Sequence, residues 1–295
     1  MLPTSAQLAQ TMSPVASSPA GWQPGSVASS SVDRLLDRMA PTTLAQLDSV
    51  SLLDRVDTKF LLTVPRLIEM LPRLAQEYLV LDIQGRRRHQ YRTLYFDTPG
   101  LDLYHLHQAS RPVRHKVRSR SYVDTGLSFF EIKAKTLDNR TVKHRLATST
   151  FVTDWTTEAS TFVASHLGAA AQLLQPTLSN DFFRVTLIDK RCTERVTLDL
   201  SIQFNCDGRT AVFPGIVIAE LKQGKVDQRS VFADQMRAAE ILPTSISKYC
   251  AGVGLLVSKV EHEASAKMLA AVERLTRGQS DVPFAAIADR VASRS

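Results

Sequence analysis

Eight segments of the chain alternate charged and apolar residues with a period of two, the pattern of a β-strand with two unlike faces. The segments are Arg55–Leu62, Tyr91–Asp97, Val113–Val123, Ser128–Lys135, Thr141–Leu146, Phe182–Asp189, Arg195–Phe204 and Ile216–Lys222. Turn residues such as Asp124-Thr125-Gly126 lie near their ends. The pattern predicts an antiparallel sheet with one apolar face and one charged face.

The charged faces carry an excess of basic residues. Strand by strand, the charged sets include Arg114, Lys116, Arg118 and Arg120; Glu131, Lys133 and Lys135; Lys143 and Arg145; Arg195 and Asp199; Glu220 and Lys222; and Asp57 and Lys59. For any one strand, a solvated face is the simplest interpretation. Across the set, so many like charges on one sheet would repel each other, which favours a face that holds an anion.

A closed barrel with its charged face inside fits this pattern, because eight strands enclose room for one small ligand. Inward guanidinium and ammonium groups suit phosphate. Glu131 and Glu220, each two residues before a lysine, suit Mg²⁺ or Mn²⁺, which take oxygen ligands and bridge to phosphate. Taken alone, each pair is better explained as an exposed ion pair with the following lysine than as a metal site.

Charge and composition agree with a polyanionic partner. The 295 residues include 36 Lys and Arg against 29 Asp and Glu, a formal net charge of +7. The three cysteines, Cys192, Cys206 and Cys250, lack metal-ligand spacing and are expected to be reduced thiols of a cytoplasmic protein. No apolar run reaches the roughly 20 residues that span a bilayer, so any membrane association is expected through a partner.

The rest of the chain is predicted to be helical or disordered. Residues 1–32 have no charged side chain and are predicted to form a disordered tail. Helical spacing of apolar residues predicts helices over Asp33–Met39, Thr42–Leu47, Pro65–Ala75, Thr156–Leu174, Ser230–Ile241, Ser258–Thr276 and Phe284–Ser295.

An ordered set of short motifs resembles the vacuolar transporter chaperone (VTC) domain, which belongs to the triphosphate tunnel metalloenzymes, or CYTH superfamily. The motifs are Arg55-Val56-Asp57-Thr58-Lys59-Phe60, Leu94-Tyr95-Phe96-Asp97-Thr98, Arg118-Ser119-Arg120-Ser121-Tyr122, Phe130-Glu131-Ile132-Lys133, Lys143-His144-Arg145, Arg195-Val196-Thr197-Leu198-Asp199, Glu220-Leu221-Lys222 and Ser247-Lys248-Tyr249-Cys250. Each motif alone is weak, but their order from about Ser51 to Gly254 is specific.

The resemblance implies an α+β fold: an antiparallel β-barrel of about eight strands, the triphosphate tunnel fold, with a basic lumen and flanking helices. It implies a tunnel domain over residues 33–258, between the tail and a C-terminal helical extension over 259–295. Such tunnels bind triphosphate or polyphosphate with a divalent metal, Mn²⁺ or Mg²⁺. In eukaryotic members the tunnel makes polyphosphate from the terminal phosphate of ATP.

Carried over position by position, the resemblance implies the following site. Arg118, Arg120, Lys133 and Arg195 would neutralise the transferring phosphoryl group, while Lys59, Lys116, Lys143, Arg145, Arg184, Lys222 and Lys248 would bind the rest of the substrate. Glu220 would hold the metal, with Glu131 as a second candidate. The wider superfamily has an E-x-E-x-K pattern in its first strand, where this chain has Arg55 and Asp57. That departure favours the VTC branch over a hydrolase.

These expectations together predict a polyphosphate polymerase-like phosphotransferase. A tunnel triphosphatase, with water as the acceptor, is an alternative, and a non-catalytic polyphosphate- or nucleotide-binding module is another. Nucleic acid is not an expected partner, because Tyr91, Tyr95, Phe96 and Tyr122 fit barrel packing better than a stacking platform and no nucleic-acid motif is present.

Overall fold

The computed structural model describes residues 27–49, 56–138, 140–224, 229–257, 263–276 and 288–289. The strands are β1 (Pro41–Thr42), β2 (Val56–Thr63), β3 (Tyr78–Leu81), β4 (His89–Asp97), β5 (Arg114–Tyr122), β6 (Leu127–Lys135), β7 (Thr141–Thr148), β8 (Gln175–Asp189), β9 (Glu194–Cys206), β10 (Arg209–Phe213), β11 (Ile216–Gln223) and β12 (Ala288–Asp289). The helices are α1 (Val27–Leu36), α2 (Leu44–Ser49), α3 (Val64–Glu77), α4 (Asp102–Gln108), α5 (Thr157–Leu167), α6 (Val231–Ala238), α7 (Lys248–Leu256) and α8 (Glu263–Thr276).

The central feature is an antiparallel sheet in the order β2, β11, β9, β8, β4, β5, β6, β7. These eight strands are the eight predicted from the sequence, and the predicted α+β class is confirmed. The edge strands β2 and β7 form no ladder with each other within the described part of the chain. The sheet nevertheless curls round, as the charges near its two ends show. Lys133 of β6 lies close enough to Lys59 of β2 and Glu220 of β11 for their charges to act on it.

The outward faces of the strands are apolar and covered by helices. On β2, β9 and β11 they pack against α3 and α6, with Leu67 and Phe232 fully buried. On β5 and β6 they pack against α5, through Val117, Ile132 and Val163. Complete burial of such a side chain contributes about 1.5–3 kcal/mol, so this outer layer fixes which face of each strand turns inward.

Helix α3 illustrates how local sequence places these covering elements. The Thr63 hydroxyl accepts a hydrogen bond from the Arg66 amide, and Pro65 lies in the first turn, where its missing N–H costs nothing. Leu67, Leu71 and Leu74 then fall on one buried face. The observed helix extends the predicted one by one residue at its start and two at its end.

Helix α7 packs against the inner, apolar part of the sheet at one end of the lumen. Ser247 caps it by accepting a hydrogen bond from the Cys250 amide. At Gly252 the helix approaches the sheet so closely that a Cβ would lie 2.5 Å from Leu178 Cδ2 and 2.8 Å from Phe204 Cδ1. A side chain at Gly252 would therefore push the helix away from the lumen.

Several sequence-based expectations need correction. Helix α1 begins at Val27, inside the segment expected to be a disordered tail, because Val32 and Leu36 bury against α3; residues 1–26 lie outside the described residues. Ala288–Asp289, within the helix predicted over Phe284–Ser295, is instead a short strand that pairs with β10. The rest of that segment, and the first five residues of the helix predicted over Ser258–Thr276, lie outside the described residues.

Two further observations bear on the expected environment of the protein. Cys192, Cys206 and Cys250 are all free thiols, the first exposed and the other two buried. None of the helices in the described ranges is long and apolar enough to cross a membrane.

Candidate functional site

The inward face of the curled sheet and the first residue of α7 bring the predicted site residues into one lumen. Eleven of the basic side chains at inward positions are predicted site residues: Lys59, Lys116, Arg118, Arg120, Lys133, Lys143, Arg145, Arg184, Arg195, Lys222 and Lys248. Four carboxylates share this face: Asp57, Glu131, Asp199 and Glu220. Cations therefore outnumber carboxylates in the lumen, which gives it a net positive charge.

Glu131 lies at the centre of the first charge cluster. Its carboxylate is 2.6 Å from Arg118 Nη2, 2.6 Å from Lys143 Nζ and 2.8 Å from Arg145 Nη2. The register explains the cluster, because Arg118 and Arg145 lie directly opposite Glu131 on the two neighbouring strands. Burial would raise the pKa of Glu131, but these cations, with Arg120, hold that pKa far below its usual range.

Asp199 forms a second cluster on the other side of the lumen. Arg184, directly opposite on β8, donates two hydrogen bonds to it, from Nε at 2.6 Å and from Nη2 at 2.8 Å, and Lys248 forms an ion pair with it. Burial lowers the pKa of Lys248 to about 8 despite Asp199. Asp199 was not among the predicted site residues, although the alternation already indicated its inward position.

Glu220 and Asp57 form the third cluster, around Lys222. The Lys222 ammonium contacts the Glu220 carboxylate and lies 3.7 Å from Asp57 Oδ2. Lys59, opposite Glu220 on β2, has its Nζ 4.0 Å from Glu220 Oε1. Burial would raise the pKa of Glu220, but Lys222 and Lys59 lower it to about 2. This is the one cluster of the three in which two carboxylates pair with the same ammonium.

Two cations of the lumen contact neutral partners. Arg120 is buried, donates to Thr93 Oγ1 at 3.3 Å and stacks over Tyr91, with its Cζ 5.6 Å from the ring centroid. Lys116 Nζ hydrogen-bonds Ser247 Oγ at 3.0 Å, and burial together with the charges of Lys59 and Lys133 lowers the pKa of Lys116 to about 7. Neither side chain forms an ion pair within the described ranges.

The structure places Lys133 and Arg195 differently from each other. Lys133 lies within electrostatic reach of Glu220 and Arg118, so Arg118, Arg120, Lys133 and Glu220 share one region of the lumen. Arg195 lies opposite Lys222 in the ladder, and its Nη2 donates to the backbone oxygen of Leu47 in α2 at 2.5 Å. Arg195 is therefore at the end of the lumen where β2 and β9 begin.

Aromatic rings hold several of these cations in place. Arg184 lies over Tyr91 at 5.0 Å, Lys248 over Phe182 at 4.5 Å, and Arg145 over Phe129 at 4.4 Å. Cation–π contacts stabilise a charge that burial would otherwise disfavour. Phe129 and Phe182 had no predicted role, because the sequence alone does not distinguish an inward ring that packs from one that supports a cation.

The carboxylates allow a direct test of whether a divalent cation fits. No group of three or more His, Cys, Asp and Glu side chains in the described ranges could hold a metal ion by itself. Asp57 and Glu220 nevertheless converge on one point, where they hold an ammonium. Mg²⁺ is commonly bound by one or two carboxylates plus substrate phosphates and water, so this pair fits such an ion.

The VTC-domain family profile matches residues 54–257, which is more than half of the chain. The match covers the strands and the start of α7 that carry the lumen residues. The chain therefore belongs to the VTC-domain family, as the ordered motifs predicted. No curated protein shows significant sequence similarity to it.

Solved structures offer more distant similarities. A Hippeastrum protein described as an adenylyl cyclase with a dominant triphosphatase activity is 16% identical, with a TM-score of 0.45 over 71% of this chain and 100% of that chain. A Bacillus halodurans protein described as an adenylate cyclase is 13% identical, with a TM-score of 0.42 over 66% and 96% of the two chains. The PH1819 protein of Pyrococcus horikoshii OT3 is 12% identical, with a TM-score of 0.38 over 70% and 99%. Scores of this size do not establish a shared activity.

Proposed function

We propose that the chain is a phosphotransferase that binds a nucleoside triphosphate or polyphosphate in its lumen and transfers the terminal phosphoryl group to a phosphate acceptor, as a polyphosphate polymerase does. One observation carries the proposal: eleven inward cations face four carboxylates, and Arg120 and Lys116 contact neutral partners. A polyphosphate chain would supply the missing negative charge.

The electrostatics of Arg120 and Lys116 support anion binding in particular. A buried charge without an opposite partner is costly, and both groups show the consequence in a pKa lowered first by burial and then by neighbouring charges. Lumen cations that destabilise each other in the free protein are stabilised when phosphate enters. The folded chain therefore holds charges already placed for an anion, which is how preorganised sites stabilise developing charge.

The proposed chemistry needs little from the protein beyond positioning and charge. Arg118, Arg120 and Lys133 would neutralise the equatorial oxygens of the transferring phosphoryl group. Arg195, at the end of the lumen where β2 and β9 begin, and Arg184 and Lys248, which contact Asp199, would hold the neighbouring phosphates. The acceptor phosphate is itself the nucleophile, so no Ser-His-Asp set is required.

Asp57 and Glu220 are the residues proposed to hold a divalent cation, Mn²⁺ or Mg²⁺. When bound there, such an ion would supply Lewis-acid stabilisation of the negative charge on the substrate phosphates. Glu131 is the weaker of the two candidates predicted from the sequence, because three cations already contact its two oxygens. Asp57 was not among the predicted metal ligands, and its position opposite Lys222 is what adds it.

The decisive experiment incubates the purified chain with ATP and Mn²⁺ and separates the products by size. Long-chain polyphosphate supports the proposal. Free phosphate alone would instead identify a tunnel triphosphatase, and unchanged ATP with measurable binding would identify a non-catalytic module.

Glu220→Gln separates the metal from the phosphate contacts. The substitution keeps the size of the side chain and one carbonyl oxygen but removes the charge, so we expect metal-dependent turnover to collapse. Tripolyphosphate binding without metal, measured by calorimetry, should survive or tighten, because a repelling charge is gone. Full metal-dependent turnover in this variant would remove Glu220 from the metal site.

A further inference from the structure

Lys222 occupies an unusual position for a cation in this lumen. Its ammonium contacts Glu220, two residues earlier on the same face of β11, and lies 3.7 Å from Asp57, directly opposite on β2. Its side chain is only 13% exposed. Two strands thus bring two carboxylates to the same ammonium, and Lys59 adds a longer contact to Glu220, with its Nζ 4.0 Å from Oε1.

Contact of two carboxylates with one ammonium is not a general property of the sheet, because the arrangement around Glu131 is the opposite. There, three cations contact one carboxylate. Two carboxylates that converge from neighbouring strands would repel each other without a cation between them. Lys222 contacts both carboxylates, and positive charge at that point favours their approach whether an ammonium or a metal ion supplies it.

We propose that Lys222 is a built-in substitute for the divalent cation: its ammonium holds the place between Asp57 and Glu220, and the metal must displace it to bind. This inference rests on the proposed metal site. The displaced ammonium stays in the lumen, where it adds to the charge that faces a phosphate. Metal binding and phosphate binding are then coupled through one side chain.

The test measures Mn²⁺ affinity by electron paramagnetic resonance with no phosphate present, so no turnover is involved. Lys222→Met removes the competing charge, and we expect it to tighten Mn²⁺ binding by about tenfold or more. Lys222→Arg keeps the charge and should bind Mn²⁺ like the parent. Lys143→Met is the matched control, because it removes a lysine from the carboxylate of Glu131 and should not tighten binding.

The outcomes separate this inference from the proposed function. Unchanged or weaker Mn²⁺ binding in a folded Lys222→Met variant would overturn the role of Lys222, while leaving the ATP assay of the parent unaffected. Equal tightening in Lys143→Met would also overturn it, since the effect would then follow total charge rather than this site. Turnover of ATP to free phosphate alone would contradict the polymerase proposal without touching the role of Lys222.

A second measurement does not depend on a variant that removes the lysine charge. Lysines of the parent are labelled by reductive ¹³C-methylation, and the signal of Lys222 is assigned by its loss in Lys222→Arg. Adding Mg²⁺ without phosphate should shift this signal more than that of Lys143. A Lys222 signal that stays still while Mg²⁺ binds would show that the ammonium is not displaced.

Discussion

The two Glu-x-Lys motifs of the lumen have the same sequence pattern and opposite surroundings. In Glu131-Ile132-Lys133 the carboxylate is 1% exposed and is held by cations from three side chains of β5 and β7. In Glu220-Leu221-Lys222 the carboxylate is 18% exposed, contacts its own lysine, and shares that lysine with Asp57. Three cations surround the single carboxylate of Glu131, whereas the carboxylates of Glu220 and Asp57 are balanced by Lys222 and by Lys59, whose Nζ lies 4.0 Å from Glu220 Oε1.

The difference shows that the neighbouring strands, rather than the motif, decide what each carboxylate can do. Glu131 has Arg118 and Arg145 directly opposite it, so its negative charge holds and orients these cations. Glu220 has Lys59 and Thr197 opposite it, and the next inward pair brings Asp57 to Lys222. We infer that the first cluster organises the phosphate-binding cations and the second offers oxygen ligands to a metal.

The largest effect should come from Glu131→Gln. Removing a fully buried carboxylate leaves three cations close together without compensation, and breaking a buried ion pair in this way costs about 3–5 kcal/mol. We expect the free energy of unfolding in urea to fall by about that amount. Tripolyphosphate should restore part of the loss, because it compensates the same cations.

If the glutamine variant were as stable as the parent without any anion, the first cluster would not have the organising role inferred for it. The matched measurement is the same unfolding series with Lys135→Met, a lysine on β6 that forms no ion pair within the described part of the chain. That variant should lose little stability, which controls for removal of a charge from β6 where no ion pair is broken.

Arg120→Ala should have the next largest effect, on binding rather than on stability. Arg120 hydrogen-bonds a neutral threonine, so its removal breaks no ion pair with a described residue. We expect tripolyphosphate affinity to fall by about 1.5–3 kcal/mol, the value of one charge-assisted contact. Calorimetry without metal is the measurement, and unaltered affinity would show that Arg120 does not contact the anion.

Glu220→Gln should change stability least of the three. Its carboxylate is partly exposed, and Lys222 keeps Asp57 as a partner, so solvent screens much of the loss. We expect the free energy of unfolding to fall by about 1–3 kcal/mol, less than for Glu131→Gln. A loss as large as that of Glu131→Gln would mean that the two clusters are structurally equivalent and would break the comparison.

The sheet was predictable because its signal is local and repeated. Alternation along β2 and β11 showed directly which residues face inward, and burial of Phe60 and Leu221 on the other face confirms that register. Strands β3 and β10 and helices α4 and α7 were missed. Helix α7 carries Tyr249, Cys250 and Val253 in an almost entirely buried stretch, and without a polar face it shows no helical period.

The site was predictable as a set of inward charges but not as a set of partners. Which carboxylate meets which cation depends on strand order and register, and these are not local properties of the sequence. Asp57, Asp199 and Thr93 gained their roles from residues far away in the chain, namely Lys222, Lys248 and Arg120. The roles assigned to the basic residues and to Glu220 remain predictions that the experiments above address.

The smallest effect concerns the proton on Lys116. Its ordinary pKa is 10.5, but burial and neighbouring cations lower it to about 7 in the folded chain. The unfolded chain therefore binds more protons between these values, so this lysine makes stability rise with pH in that window.

Anion binding favours the charged form, so tripolyphosphate affinity should fall, and proton uptake on binding should rise, as the pH passes about 7. Lys116→Arg keeps the charge throughout and should remove this contribution.

Calorimetry at about pH 8, in buffers of different ionisation enthalpy, should show that the parent takes up nearly one proton more than the variant on binding. This uptake corresponds to a change in affinity of less than about tenfold per pH unit. The titration of tripolyphosphate itself is common to both proteins and cancels in the difference. Equal uptake by the two proteins would place Lys116 outside the electrostatic reach of the bound anion. The anion site would then not extend to Lys116 and its partner Ser247.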